Sequence, residues 1–393
     1  MKKILTVVIL LFLVANLLAQ QELLNELIFP SQEQHVHGSS IVELPNGDLL
    51  SCWFQGSGER TANDVAIRGA RLKKGESKWN NVFTMADTPG QPDCNPVLFL
   101  NKENKLFLVW IVVQANRWET SLLKFRTSTD YDNADAPNWN WQDVILLKPG
   151  NEFAKEIERK FRENQSTEFA WAEYAHEYES MIIEASKKPK RRETGWMTRI
   201  HPLILENGKI LLPLYSDGYN VSIAAISDDN GRNWYGSLPI VGKGNIQPSF
   251  IQKKDGTITA FMRDSGDEPG RIMIAESTDK GNSWSFAKDA EIPNPGASIE
   301  AMKLQSGNWL LIYNDVEDGR YSLAAALSED EGITWKWKKH LENSKGESFH
   351  YPSVIQSKDG KIHLTYSYFL TGERKSIKHV AFDEEWIKIK NLK

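Results

Sequence analysis

Short apolar stretches, each closed by Gly, Asn, Asp or Pro, follow one another through most of the chain. Stretches of this length bounded by turn residues read as β-strands, because a helix needs a longer stripe recurring every three or four positions. Apolar runs flank a turn at Asn46-Gly47, near Asn104, and at Asn207-Gly208, Asp255-Gly256, Ser306-Gly307 and Asp359-Gly360, which predicts six hairpins. Residues 151–195 break the pattern. There Phe153, Ile157 and Phe161, then Phe169, Tyr174, Tyr178 and Ile182, recur at helical spacing, so a helical insertion is expected. It ends in the basic run Lys187 to Arg192, which reads as a solvated face.

A repeat sets the architecture. Ser227-Asp228-Asp229-Asn230-Gly231-Arg232-Asn233-Trp234 recurs from Ser277 to Trp284 and from Ser328 to Trp335, on a period of about 50 residues. A broken copy, Ser128-Thr129-Asp130, precedes Trp139 and Trp141. In such a Ser-x-Asp-x-Gly-x-x-Trp box the Asp caps backbone N–H groups, the Gly turns the chain and the Trp plugs the turn. Four strands in about 50 residues is the size of one propeller blade. The fold expected is therefore all-β, a six-bladed β-propeller with a helical insertion around residues 151–195.

Registering the hairpins gives a ring. The strand before each turn opens with Asn95-Pro96, His201-Pro202, Gln247-Pro248 or Tyr351-Pro352, and Pro is tolerated at a strand start. Counting back from the apolar pair puts Glu300 in the fifth blade's slot, and Gly38 with His37 in the first. Innermost strands start around one central mouth, so these side chains are expected to converge there, where ligands bind. Second strands return to the same face and deliver Arg263 and Asn314-Asp315, with Arg320 opening a third strand beside them. The Asp boxes follow third strands and belong to the opposite rim.

Composition narrows the function. Lys2, Lys3, the apolar run Ile4 to Leu18 and Leu17-Leu18-Ala19 resemble an export signal over 1–20, leaving 21–393 as one domain, periplasmic or extracellular. No later stretch approaches the length of a membrane span. The net charge is −5 and the basic residues are scattered, which argues against nucleic acid as a partner. Cys52 and Cys94 could pair or stay as two buried thiols, and no Cys/His spacing suits a metal. Neither metal nor cofactor is expected, and the protein is taken as a monomer.

The boxes together with the mouth residues resemble the sialidase (neuraminidase) superfamily over residues 35–385. Phe261-Met262-Arg263 and Arg320-Tyr321-Ser322-Leu323 resemble the second and third of the family's three carboxylate-binding arginines, and Tyr351 falls where its nucleophilic tyrosine belongs. Three positions depart. His37-Gly38-Ser39 stands where the family opens its first blade with an arginine, and Asn245 stands where it carries the glutamate paired with the tyrosine. The acid/base aspartate maps by spacing to Glu59, with Asp64 the alternative.

The resemblance implies an exo-acting glycoside hydrolase on a terminal acidic sugar. A neutral phenol attacks an anomeric centre bearing a carboxylate without the repulsion an anion would meet, and it needs a base because its usual pKa is near 10. Glu300 is expected to replace that base and Glu59 to act as acid/base. Arg263 and Arg320 would bind the carboxylate, with His37 as a pH-sensitive third arm and His201, Gln247, Asp64 and Asn95 lining the site. Two other readings stay open. One is a polysaccharide lyase using His37, His201, Tyr351 and Arg263; the other is a propeller that binds glycans without catalysis.

Overall fold

The computed structural model describes residues 23–164, 172–218, 220–266 and 268–389, with side chains from Tyr178 onward in the second helix. The expected export signal, together with Phe169, lies outside the described residues, as does the side chain of Tyr174. Left-handed φ occurs at all six hairpin turns, from Gly47 and Asn104 to Gly208, Gly256, Gly307 and Gly360, which is the conformation that brings two strands back on one another.

The described residues form six antiparallel sheets, arranged as the blades of a propeller. Blade one runs outward as His35–Glu43, Leu49–Gly56, Ala66–Leu72 and Phe83–Ala86, and blade two as Asp93–Leu100, Leu106–Val113, Ser121–Ser128 and Trp141–Val144. Blade four (Asn245–Gln252 to Lys288–Pro293) and blade five (Glu300–Lys303 to Trp337–Asn343) repeat the scheme. Blade six takes three strands from the C-terminal end, Ser348–Gln356, Ile362–Phe369 and Lys375–Phe382, and its outermost strand from the N-terminal end. Leu24–Leu27 pairs with Lys378–Ala381, so the first strand of the chain closes the last blade. The hairpin pattern did not predict this closure.

Blade three is irregular. Its inner strand splits into Met197–Thr198 and Leu203–Ile204, and side chains of the segment between them reach blades one, five and six. Its outermost strand is only Tyr235–Gly236. The insertion supplies a helix, Asn151–Glu163, with Phe153, Ile157 and Phe161 buried as their spacing predicts. Lys160 is buried too and donates to the carbonyls of Trp284 and Ser285 in blade four. A second helix, Ala172–Ser186, leads into the basic run, which departs from its expected solvation at one residue. Arg192 is buried and donates to the carbonyls of Pro149, Ser186 and Lys187.

Each Asp box folds as its residue types require. Ser227, Ser277 and Ser328 accept from the glycine N–H four residues on, at 2.8, 2.9 and 2.8 Å, and donate to Asp229, Asp279 and Asp330. Trp284 then stacks on Phe250, with centroids 4.8 Å apart, and Trp335 meets Phe261 edge-on at 5.9 Å. Gly231 packs against Phe107 and Gly281 against Leu211, each belonging to the preceding blade. The boxes therefore tie neighbouring blades together. Cys52 and Cys94 are two buried free thiols.

Candidate active site at the propeller mouth

Four inner strands carry the same device. Gly38, Asn95, Gln247 and Tyr351 have φ of 59°, 51°, 53° and 58°, and strand register slips at each. A bulge of this kind inserts extra residues and re-aims a side chain. Blades three and five lack it, and that alters the ring. Glu300 opens a regular strand, and its carboxylate accepts from the backbone N–H of Val354 at 2.8 Å. Val354 lies three residues beyond Tyr351, so Glu300 sits further down the axial channel than the mouth slots. Counting back from apolar residues ignored the bulges and set it too high.

Glu300 is instead part of an axial plug. His201 donates from Nδ1 to Glu300 at 2.6 Å and from Nε2 to the Ile41 carbonyl at 2.9 Å. An arrangement with an acceptor at each ring nitrogen favours the cationic imidazole. Burial opposes that charge, but Glu300 outweighs it and raises the His201 pKa. Both residues face a cavity of about 790 Å³ on the far side of the channel, walled by Ile41, Leu98, Ile251 and Val354. The structure thus corrects two expectations: Glu300 does not bond the Tyr351 phenol, and His201 is not a mouth residue.

The mouth centres on Tyr351. Arg263 donates from Nη1 to its phenol oxygen at 3.1 Å, and the Arg320 guanidinium lies 5.7 Å from the ring centroid. Both are half-buried, and Arg320 is fixed by a 2.7 Å bond to the Gly296 carbonyl. Below the ring lies Arg199, 2% exposed, with its guanidinium 5.1 Å from the centroid. His37 packs on the same ring at 4.0 Å and is bonded through Nδ1 to Ser367 Oγ at 2.8 Å. Burial, helped by His350 and His35, holds its pKa well below the usual value. His37 is therefore neutral packing for Tyr351 and not a pH-sensitive arm of a carboxylate clamp.

Asn95 and Gln247 converge as expected, but on a residue the sequence reading missed. Both amides donate to the Tyr215 hydroxyl at 3.2 Å. Two residues on, past the end of the strand Ile210–Ser216, Asp217 is an exposed residue close enough to Arg263 and Arg60 to feel their charge. The protein crowding it raises its carboxyl pKa, against the pull of Arg263 and Arg60. Glu59 is half-buried in the loop after the second strand of blade one. Burial raises its pKa, Arg60 and Arg320 oppose the rise, and Asp217 adds to it.

Asp64 has another task. It accepts from the Ser57 N–H at 3.0 Å and from the Ser57 hydroxyl at 2.8 Å, and these bonds lower its pKa. An exposed carboxylate so engaged pins the loop that carries Glu59. Asn116 holds the same loop from blade two, donating to the Arg60 carbonyl at 2.7 Å. Asn245 is buried, donates to the Ile240 carbonyl at 2.8 Å and makes no bond to the phenol. Asn314 and Asp315 also turn away, to the carbonyls of Ser322 and Phe349 and to Lys338 and His340.

The family model described as BNR repeat-like domain matches residues 47–197 and 187–364, most of the chain. The chain belongs to this family. A Sialidase of Bacteroides fragilis (strain YCH46) is 23% identical to the propeller over 203 residues, 48% of this chain and 35% of that protein, so the match spans about a third of the relative. The NanB sialidase of Streptococcus pneumoniae superposes with a TM-score of 0.68 at 12% identity, covering 92% of this chain and 71% of that one. The intramolecular trans-sialidase of Ruminococcus gnavus, solved with oseltamivir carboxylate, gives 0.65 at 14% identity, covering 91% and 96%. The chain is a sialidase-like BNR propeller by fold. Of the mouth residues in this BNR propeller, Arg199, Tyr215 and Asp217 gave no repeat signal. Tyr215 reads as one more apolar strand position, and Arg199 precedes the His201-Pro202 strand start without matching any other blade.

Proposed function

We propose that the protein is an exported, exo-acting glycoside hydrolase that removes a terminal acidic sugar, sialic acid or a related 2-keto or uronic acid, from glycans. The observation that carries this reading is a phenol at the mouth, Tyr351, bonded to Arg263 and flanked by Arg320, with the half-buried Glu59 beside them, whose carboxyl pKa burial raises above its ordinary value. Arginines bind a carboxylate through paired N–H groups and keep their charge. Glu59 then protonates the leaving oxygen as the Tyr351 oxygen bonds the anomeric carbon, and the phenol proton passes to water in the mouth. Water afterwards displaces the tyrosine, with the Glu59 carboxylate as base. The acidic ligand held by the Ruminococcus gnavus relative supports the same substrate class. In this reading residues 21–393 act as one monomeric domain after loss of a leader.

One observation favours a second reading. Among the described residues no carboxylate is hydrogen-bonded to the Tyr351 phenol, as a propeller that only binds glycans would allow. A screen of α-linked sialic, other 2-keto and uronic acid glycosides, with mass detection of products, separates the two. The hydrolase releases the free acid, and Tyr351→Phe and Glu59→Gln abolish the release. Binding without turnover, unchanged in both variants, would establish the binder, and an unsaturated product absorbing in the near ultraviolet would establish a lyase.

A further inference from the structure

The segment of blade three between Thr198 and Leu203 places a guanidinium against the ring of Tyr351. Arg199 donates from Nη1 to the Ser39 carbonyl and from Nη2 to the Pro352 carbonyl, each at 3.0 Å. These residues directly follow Gly38 and Tyr351, the left-handed positions of blades one and six. One side chain thus clamps the inner strands of blades one and six together. Pro352 has no N–H of its own to anchor it, so its carbonyl is what the clamp can hold.

A fully buried guanidinium is costly without an opposing charge. Glu300 supplies part of one, shared with His201, and its carboxylate is fixed by His201 and the Val354 N–H. Other residues could have closed the channel with apolar packing. Instead a fixed cation faces the π-system that carries the reacting oxygen at 5.1 Å.

We infer that Arg199 is a positioning residue for the reaction at Tyr351. It sets the angle of the phenol through the Pro352 carbonyl, and its charge lies behind the ring as the oxygen gains electron density. In a site where no carboxylate meets the phenol, that fixed charge takes over part of the stabilisation a paired base gives elsewhere. Arg199 has no route to the substrate, because the ring of Tyr351 lies between them. It therefore acts on the chemical step and not on carboxylate binding, which Arg263 and Arg320 perform. This inference rests on the hydrolase reading above.

The test compares Arg199→Gln and Arg199→Lys with the wild type on whichever acidic glycoside the screen identifies. Arg199→Gln is expected to lower kcat by about 30-fold or more while KM stays within about twofold. Arg199→Lys, which keeps the charge but can hold only one carbonyl well, should hold kcat about two- to fivefold below wild type, well above the Gln variant. A scan of Tm accompanies each assay. If Arg199→Gln does not fold, the Lys variant decides: a kcat loss at constant KM supports the inference, and a kcat equal to wild type overturns it. It is also overturned if Arg199→Gln folds and keeps its kcat, or if both variants lose activity through KM. Absence of turnover by the wild type would remove the hydrolase reading itself, and this inference with it.

Discussion

At the scale of single residues, the mouth works by contrast between two kinds of carboxylate. Asp64, exposed and bonded by Ser57, is held ionised, whereas burial keeps the Glu59 carboxyl protonated to higher pH. An acid whose pKa is raised loses its proton later on the alkaline side, so turnover should fall as pH rises through the Glu59 pKa. Glu59→Gln is expected to remove that limb of the kcat/KM profile and to cost about 10²- to 10⁴-fold on a natural glycoside. A substrate with a very good leaving group needs less protonation, so the variant should recover on it. An unchanged alkaline limb in the variant would assign the acid elsewhere, with Asp217 next in line. The sequence was informative about Tyr351, Arg263 and Arg320, because each sits in a short motif beside a legible strand start or turn, whereas Glu59 was reached by spacing back from Asp64-Val65-Ala66. It misplaced Glu300, because a β-bulge leaves no mark in an apolar pattern and a slip of a few residues moves a side chain from the mouth into the channel. His37 was read by its residue type, yet its charge depends on burial that only the packing reveals.

Elements were the most legible scale. Turns and Asp boxes are local, each encoded within about eight residues, so their types and period could be read directly. The box aspartates also make a stability statement. Hydrogen bonds from Thr334 and Ser328 hold Asp330 at about 2, below the unfolded value near 3.9. A carboxylate lowered on folding stabilises the native state above pH 4 and loses that contribution as pH falls towards 2. Asp330→Ala should therefore lower Tm at pH 7, and the gap to wild type should close in calorimetry between pH 4 and pH 2. A gap independent of pH would mean that lost packing, and not the capped charge, causes the change. The helical insertion was legible as helix from Phe153, Ile157 and Phe161, but its docking on blade four through Lys160 was not, since a buried lysine is the exception among lysines.

For the whole molecule, six repeats predicted six blades, but nothing local announces how a ring is closed. Leu24–Leu27 is a short strand with two exposed positions, and its partner lies at the other end of the chain. Its docking is reinforced by the Ile28 N–H, which donates to the Ile377 carbonyl at 2.9 Å, and by Glu26, which accepts from His379 and Trp79. Removing residues 23–28 should leave an open edge on blade six. A lower Tm and self-association in size-exclusion chromatography are expected, while an unchanged Tm and a single monomer peak would show the closure to be dispensable. The same closure has a consequence in time. Synthesis proceeds from the N-terminal end at about 5–20 residues per second, so the first strand made waits for a partner made last, for tens of seconds. Throughout that interval blades one to five can assemble while the ring stays open. Closing the ring therefore requires a meeting of the oldest and the newest parts of the chain.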